Sequence, residues 1–366
     1  VHNKLLINVG FYLLLIFAFT AAIYPPIAYT AAAGLLLLWL LDLLIFREPE
    51  FIKTPLYYPI LGLIVLLLAS WLVAIIHGSA NDFVYLAFLS IFYFVVPGFV
   101  VTSEQRQMIF WTFATSILLY SGIELINWWA SLPSLGHETI AIAQPHIAFL
   151  ALAVCILAAF LTEAKGLYAK LFHVLVCLPP LALALLTPDK AFILALFVVL
   201  FSIALFRNIR LLYPIGIVIL MAVLGLGGIH YYLERNLDIM GFGDFILIPI
   251  KAAINDPDII TGASFFGVRA FALDFNLYPD SRSIFLLELI KGSGPAAFLM
   301  IVFIFIERMR ESYFKRRKVV LSEEKSYHLA VLMAVGALFI LNMYGTAFFY
   351  PNVVLVSWMI LGMYEI

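Results

Sequence analysis

A succession of apolar runs, most of them near the length needed to cross a membrane, constrains this chain more than any motif does. A spanning helix needs roughly 20 mostly apolar residues, because an α-helix rises about 1.5 Å per residue and the hydrocarbon layer is about 30 Å thick. Twelve apolar segments can be read, several of them short enough to tilt or break: 5–22, 27–46, 57–76, 84–102, 108–127, 146–163, 171–187, 191–207, 211–228, 284–306, 328–348 and 351–366. They predict an all-α, polytopic membrane protein of about 12 transmembrane helices, with residues 1–366 forming a single transmembrane domain. The chain is 65% hydrophobic and 12% charged, with mean hydropathy +1.09, whereas soluble domains are about half apolar and a quarter charged. Little length remains for a soluble catalytic domain, so a site must lie between helices or in a loop that folds back among them. The first run has only Lys4 before it and no small-residue cleavage pattern ahead of Pro25-Pro26, which reads as a retained span rather than a removed signal peptide.

Lysine and arginine alternate between the two sides that these segments define. Of the 21, fifteen fall on one side, including Lys4, Arg47, Lys53, Arg106, Lys165, Lys170, Arg207, Arg210 and the basic stretch 307–327. Five fall on the other: Lys190, Arg235, Lys251, Arg269 and Arg282. The positive-inside rule then puts both termini and the basic loop 307–327 in the cytoplasm, where the loop is also attracted to anionic membrane lipid. The longest stretch between spans, 229–283, becomes an extracytoplasmic loop. Its mixture of Phe, Tyr and Asp predicts short helices, with 245–254 amphipathic enough to lie on the membrane surface. A formal net charge of −1 excludes nucleic acid as the main partner. Cys155 and Cys177 lie in apolar runs without metal-ligand spacing, so neither a metal site nor a disulfide framework is expected.

Ionisable residues inside spans are costly and usually face a partner or a wet cavity. Asp42 lies near the cytoplasmic end of its span, within reach of the interface. Glu124 sits one turn from the outer edge beside Asn127, Trp128 and Trp129, and is readable either as part of an aromatic belt or as a cavity-facing carboxylate. Glu288 and Lys291 are three positions apart, the spacing of a helical ion pair, and are cavity candidates as well. The outer side carries four histidines, His77, His137, His146 and His230, each able to act as a base near neutral pH.

Three outer features gain interest together. Thr187-Pro188-Asp189-Lys190 is a polar break between two apolar runs. The stretch from Ile250 to Phe271 carries a turn at Asn255-Asp256-Pro257-Asp258, then Gly262, Gly267 and Arg269, whose guanidinium suits bidentate phosphate binding. Asp280, Ser281 and Arg282 stand at the mouth of the tenth span. Lys190, Arg269 and Arg282 are expected to converge in a positive pocket at the outer membrane interface, with isolated interfacial cations as the alternative.

In order and spacing, this arrangement resembles the O-antigen ligase and O-antigen polymerase superfamily of bacterial surface-polysaccharide proteins, chiefly over residues 146–366. That family has an Arg, three residues, then Leu at the outer end of a helix, where Lys190-Ala-Phe-Ile-Leu194 stands here. Its large outer loop has a Pro followed by a glycine-rich stretch and an aromatic, matched by Pro257, Gly262, Gly267 and Phe271. The closing YGTAFFYPNVVLVSWMILGM is similar to the family's final helix pair. The His-Asn pair is replaced by Ser281 and Arg282; nine residues then lead to Gly292, and Pro295 stands in place of the family's last Gly.

The resemblance implies an enzyme of the bacterial cytoplasmic (inner) membrane that transfers glycan from a polyprenyl-diphosphate-linked donor to an acceptor sugar hydroxyl, without nucleotide sugar, metal or other cofactor. Lys190 is the first choice to hold the diphosphate, with Arg269 and Arg282 next. Ser281 cannot accept a proton as imidazole does, so Asp280 or His230 would serve as base. Other polysaccharide assembly proteins are the further expected partners. Two alternatives stay open, a transporter of lipid-linked sugar or small solute and a noncatalytic member of an assembly complex.

Overall fold

The computed structural model describes residues 4–46, 55–76, 83–135, 144–186, 285–344 and 347–364. Among these the secondary structure is entirely helical: α1 (Lys4–Ile23), α2 (Pro25–Phe46), α3 (Tyr57–Ile76), α4 (Val84–Ser90), α5 (Phe92–Val95), α6 (Ser103–Leu135), α7 (Gln144–Glu163), α8 (Leu167–Leu186), α9 (Phe285–Lys318), α10 (Ser322–Tyr344) and α11 (Pro351–Met363). Five helices, α1, α2, α6, α7 and α10, are long and apolar enough to cross a membrane. The apolar runs 191–207 and 211–228 and the loop 229–283 lie outside the described residues.

Pro25 and Pro26 open α2 one residue after α1 ends, so the two helices fold back as a hairpin. α6 begins with a reciprocal cap: the Gln105 backbone N–H donates to Thr102 Oγ1 at 3.2 Å, while Gln105 Oε1 accepts the Val101 N–H at 2.8 Å. α7 lies at the centre against α10, α8 and α6, and α10 packs in turn on α9, which packs on α3. Ala148, Ala151 and Ala153 on α7 and Ala330, Ala334 and Ala337 on α10 are all buried. Small side chains allow the close backbone approach that drives helix association where lipid tails remove the hydrophobic incentive. Outward faces show the reverse of a soluble surface, with Leu44 at 73% and Ile76 at 78% exposure.

Two segments differ from the long, outward-facing helices. Residues 84–102 form α4, α5 and a 3₁₀ turn over Val96–Gly98, where Pro97 carries no N–H to continue α5. α11 has 13 residues, about 20 Å of helix, and is buried from Asn352 to Met363 against α4, α5 and α1. Neighbouring helices enclose it. The basic stretch from 307 continues as helix to Lys318, so α9 carries most of its cations on regular backbone.

α11 crosses α5 at Gly362. A Cβ added there would stand 2.8 Å from the Tyr93 carbonyl oxygen, a backbone atom that cannot swing aside. Gly362→Ala is therefore expected to cost about 1–3 kcal/mol through forced separation of the two helices, read as a lower thermal midpoint of the purified protein. A midpoint equal to wild type would show that α11 is free to shift.

Candidate functional site

Contacts between helix termini define the two ends of the bundle. The start of α6, the ends of α7, α9 and α11 and the start of α10 meet at one end, which we call the basic end. The end of α1, the start of α7 and the start of α11 meet at the other.

At that opposite end, the second half of α6 places Tyr120 and Glu124 one turn apart, and His146 enters from the first turn of α7. The His146 ring stacks on Tyr120 with centroids 4.2 Å apart and planes 8° from parallel. Its Nε2 lies 3.0 Å from the Ala22 carbonyl oxygen, an acceptor, so the proton sits on Nε2 and donates. Nδ1 is then a bare lone pair, shielded from water and without a hydrogen-bond partner among the described residues. Half-buried Glu124 acts electrostatically on both Tyr120 and His146. Next to it, Asn352 Nδ2 donates to the Ala21 carbonyl at 3.2 Å, tying α11 to the same terminus of α1. A histidine whose Nε2–H is held by a carbonyl presents its Nδ1 as a hydrogen-bond acceptor.

Of the residues singled out in the sequence, Glu124 and His146 are thus brought together. Glu288 and Lys291 lie on α9 at the expected helical spacing, with side chains outside what the structure describes. Lys190, Arg269, Arg282, Asp280 and His230 all lie outside the described residues, as do His77 and His137. Asp42 is half-buried near the end of α2.

The basic end holds residues that sequence reasoning counted only for topology. Arg308 is fully buried, its Nη1 3.1 Å from Glu311 Oε2 and its guanidinium carbon 4.2 Å from the Tyr364 ring centre. Burial pulls the Arg308 pKa below its usual value, and Tyr93 and Glu311 push back in the other direction. Lys315 reaches Glu311 Oε1 at 2.8 Å and lies 4.5 Å from the same Tyr364 ring. Arg316 bonds Glu163 at 2.7 Å, joining the ends of α9 and α7. Arg106, from the start of α6, stands 4.7 Å over the Tyr327 ring, and His328 packs edge-on against Tyr364 at 5.3 Å. The readable signal was helical period: Arg308, Glu311, Ser312 and Lys315 share one face of α9, whereas Arg310 faces out and pairs with Glu307.

A third feature is a lateral groove of about 520 Å³ along one stripe of α6, from Glu104 and Gln107 through Met108, Trp111, Thr112 and Thr115 to Phe19 of α1. No residue singled out in the sequence lines it. Among the described residues, no group of three or more His, Cys, Asp or Glu is placed to hold a metal ion.

The chain matches no protein-family model, and no curated protein matches it.

Proposed function

We propose that this chain is a membrane glycosyltransferase of bacterial surface-polysaccharide assembly, of polymerase or ligase type. It spans the inner membrane about twelve times, with both termini and the basic end in the cytoplasm and glycan transfer at the opposite end. The observation that carries the reading is the shared order of Lys190-x₃-Leu194, the Pro257-to-Phe271 stretch and Ser281-Arg282 nine residues before Gly292, set in a chain of apolar helices. The polar group of Tyr120, Glu124 and His146 supports it by supplying hydrogen-bonding groups at that same end.

In the reaction, an acceptor hydroxyl oxygen attacks the anomeric carbon of the donor sugar. The bond from that carbon to the diphosphate oxygen breaks, polyprenyl diphosphate leaves with the electron pair, and the hydroxyl proton passes to Asp280 or His230. Lys190, Arg269 and Arg282 stabilise the negative charge that grows on the leaving group.

Lys190→Ala and Arg282→Ala are expected to abolish long-chain surface glycan while membrane abundance stays at the wild-type level. Glycan length resolved by gel electrophoresis, beside an immunoblot of the membrane fraction, reads both. Unchanged chain length in both variants overturns the proposal. The intramembrane Glu124 and His146 favour one competing reading, transport. It would be established by counterflow of lipid-linked sugar in proteoliposomes without covalent change to the sugar.

A further inference from the structure

Helix α1 ends where its own backbone cannot cap it. A helix leaves its last carbonyls without intrahelical donors. The usual remedy is a turn in which the N–H groups of the two residues beyond the C-cap bond back to the second-last and third-last helical carbonyls. α1 ends at Ile23 with Tyr24 as its C-cap, so those two residues are Pro25 and Pro26. Proline has no N–H, and this cap cannot form. The Tyr24 N–H still reaches the Thr20 carbonyl at 2.8 Å, and Ile23 is exposed. The carbonyls that lose their donors belong to Ala21 and Ala22, both 0% exposed, where water does not replace the missing bonds.

Side chains from distant parts of the chain serve these same two carbonyls. His146 Nε2, in the first turn of α7, donates to Ala22 at 3.0 Å, and Asn352 Nδ2, in the first turn of α11, donates to Ala21 at 3.2 Å. The partners are 124 and 331 positions apart in the chain, so neither bond is a by-product of local geometry. Both donors are also held in orientation. The His146 ring is stacked on Tyr120, and Asn352 Oδ1 accepts the Val353 N–H at 3.1 Å, which turns the Asn352 amide nitrogen towards α1. α2 leaves from these two prolines and packs chiefly on α1, so the position of the turn governs the whole hairpin.

We propose that His146 and Asn352 form a latch that holds the α1–α2 turn to the core and sets how readily that turn opens. The donors that Pro25 and Pro26 lack come from α7 and α11, so the turn is coupled to those helices instead of being fixed within the hairpin. Releasing His146 from Ala22 also frees the ring that packs on Tyr120, so this polar group is assembled only while the latch is closed. The latch assigns His146 Nε2 to holding the turn and does not depend on the glycan chemistry proposed for the same end.

The test is hydrogen–deuterium exchange of the purified full-length chain in phosphatidylcholine nanodiscs, read at the Tyr24, Ile27 and Ala28 amides of the turn. In His146→Phe, which keeps the ring packing and removes the donor, these amides should exchange about three- to tenfold faster, the worth of one neutral hydrogen bond. Amides in the middle of α1 should keep their wild-type rate, because the opening is local. His146→Gln, which carries an N–H at similar reach, should exchange close to wild type. Pro25→Gly combined with Pro26→Ala returns both backbone donors, with glycine at the position that favours the left-handed cap, so adding this pair to His146→Phe should restore slow exchange. Asn352→Leu provides the same comparison where His146→Phe does not fold. The proposal is overturned if the turn amides of the folded variants exchange as in wild type, if exchange rises equally through α1, or if the returned backbone donors fail to slow it.

Discussion

Glu311→Ala is expected to destabilise the protein by about 3–5 kcal/mol, enough to leave much of it unfolded on extraction from the membrane. Glu311 is the carboxylate that meets both Arg308 at 3.1 Å and Lys315 at 2.8 Å. Arg308 is completely buried and cannot neutralise itself by losing a proton, because guanidinium stays charged at any ordinary pH. Removing the acid leaves its charge facing Lys315 and the Tyr364 ring without the carboxylate that lies 3.1 Å from it. The companion variant separates charge from shape. Arg308→Met combined with Glu311→Leu removes both charges at similar volume and is expected to recover most of the loss, since the cost lies in breaking the pair. Arg310→Ala, whose side chain is 62% exposed, should change stability by less than about 1 kcal/mol. Monodisperse recovery in mild detergent and the thermal midpoint read all three. Glu311→Ala no worse than Arg310→Ala would mean that water reaches Arg308.

The contrast between Arg308 and Arg310 shows what was legible in the sequence and what was not. Apolar runs at 5–22, 27–46 and 57–76 appear as the helices α1, α2 and α3 nearly residue for residue; α1 and α2 are also long and apolar enough to cross a membrane, where each span must satisfy its own backbone within one helix. Hydropathy sees composition, not continuity. It cannot distinguish an unbroken helix from the α4, α5 and 3₁₀ series, or an outward-facing helix from α11, which is as apolar as the others but buried from Asn352 to Met363. Charge counting likewise placed Arg308 and Arg310 on the same side and gave them the same meaning. Helical period separates their faces, yet Tyr364 and Tyr327, which make the Arg308 face an interior, come from other helices. At the opposite end, the sequence marked Glu124 and His146 individually. The ring stack on Tyr120 and the bond to Ala22 that give His146 its bare nitrogen depend on α1, α6 and α7 meeting, which no local pattern encodes.

The turn that leads into α11 carries the second large expected effect. The 3₁₀ turn Ala347–Phe349 interrupts helical bonding between α10 and α11, so the backbone of Phe348 must find partners elsewhere. Side chains supply both: Asn342 Oδ1 accepts the Phe348 N–H at 2.8 Å, and the Tyr85 hydroxyl donates to the Phe348 carbonyl at 2.6 Å. Asn342 is itself buried, and its Nδ2 returns a bond to the Leu338 carbonyl at 2.8 Å, which fixes the amide orientation. Asn342→Leu keeps the volume and leaves the buried Phe348 N–H with no water in reach, a loss on the order of 3–4 kcal/mol in so apolar a setting. Tyr85→Phe leaves a carbonyl in the same position, but half-buried Tyr85 gives solvent some access, so its loss should be smaller, about 1–2 kcal/mol. Both bonds hold one peptide in place, so the double variant should lose less than the two single losses added together. Strict additivity of the three thermal midpoints would mean that the turn holds its shape without them, and that packing of α11 alone sets its position.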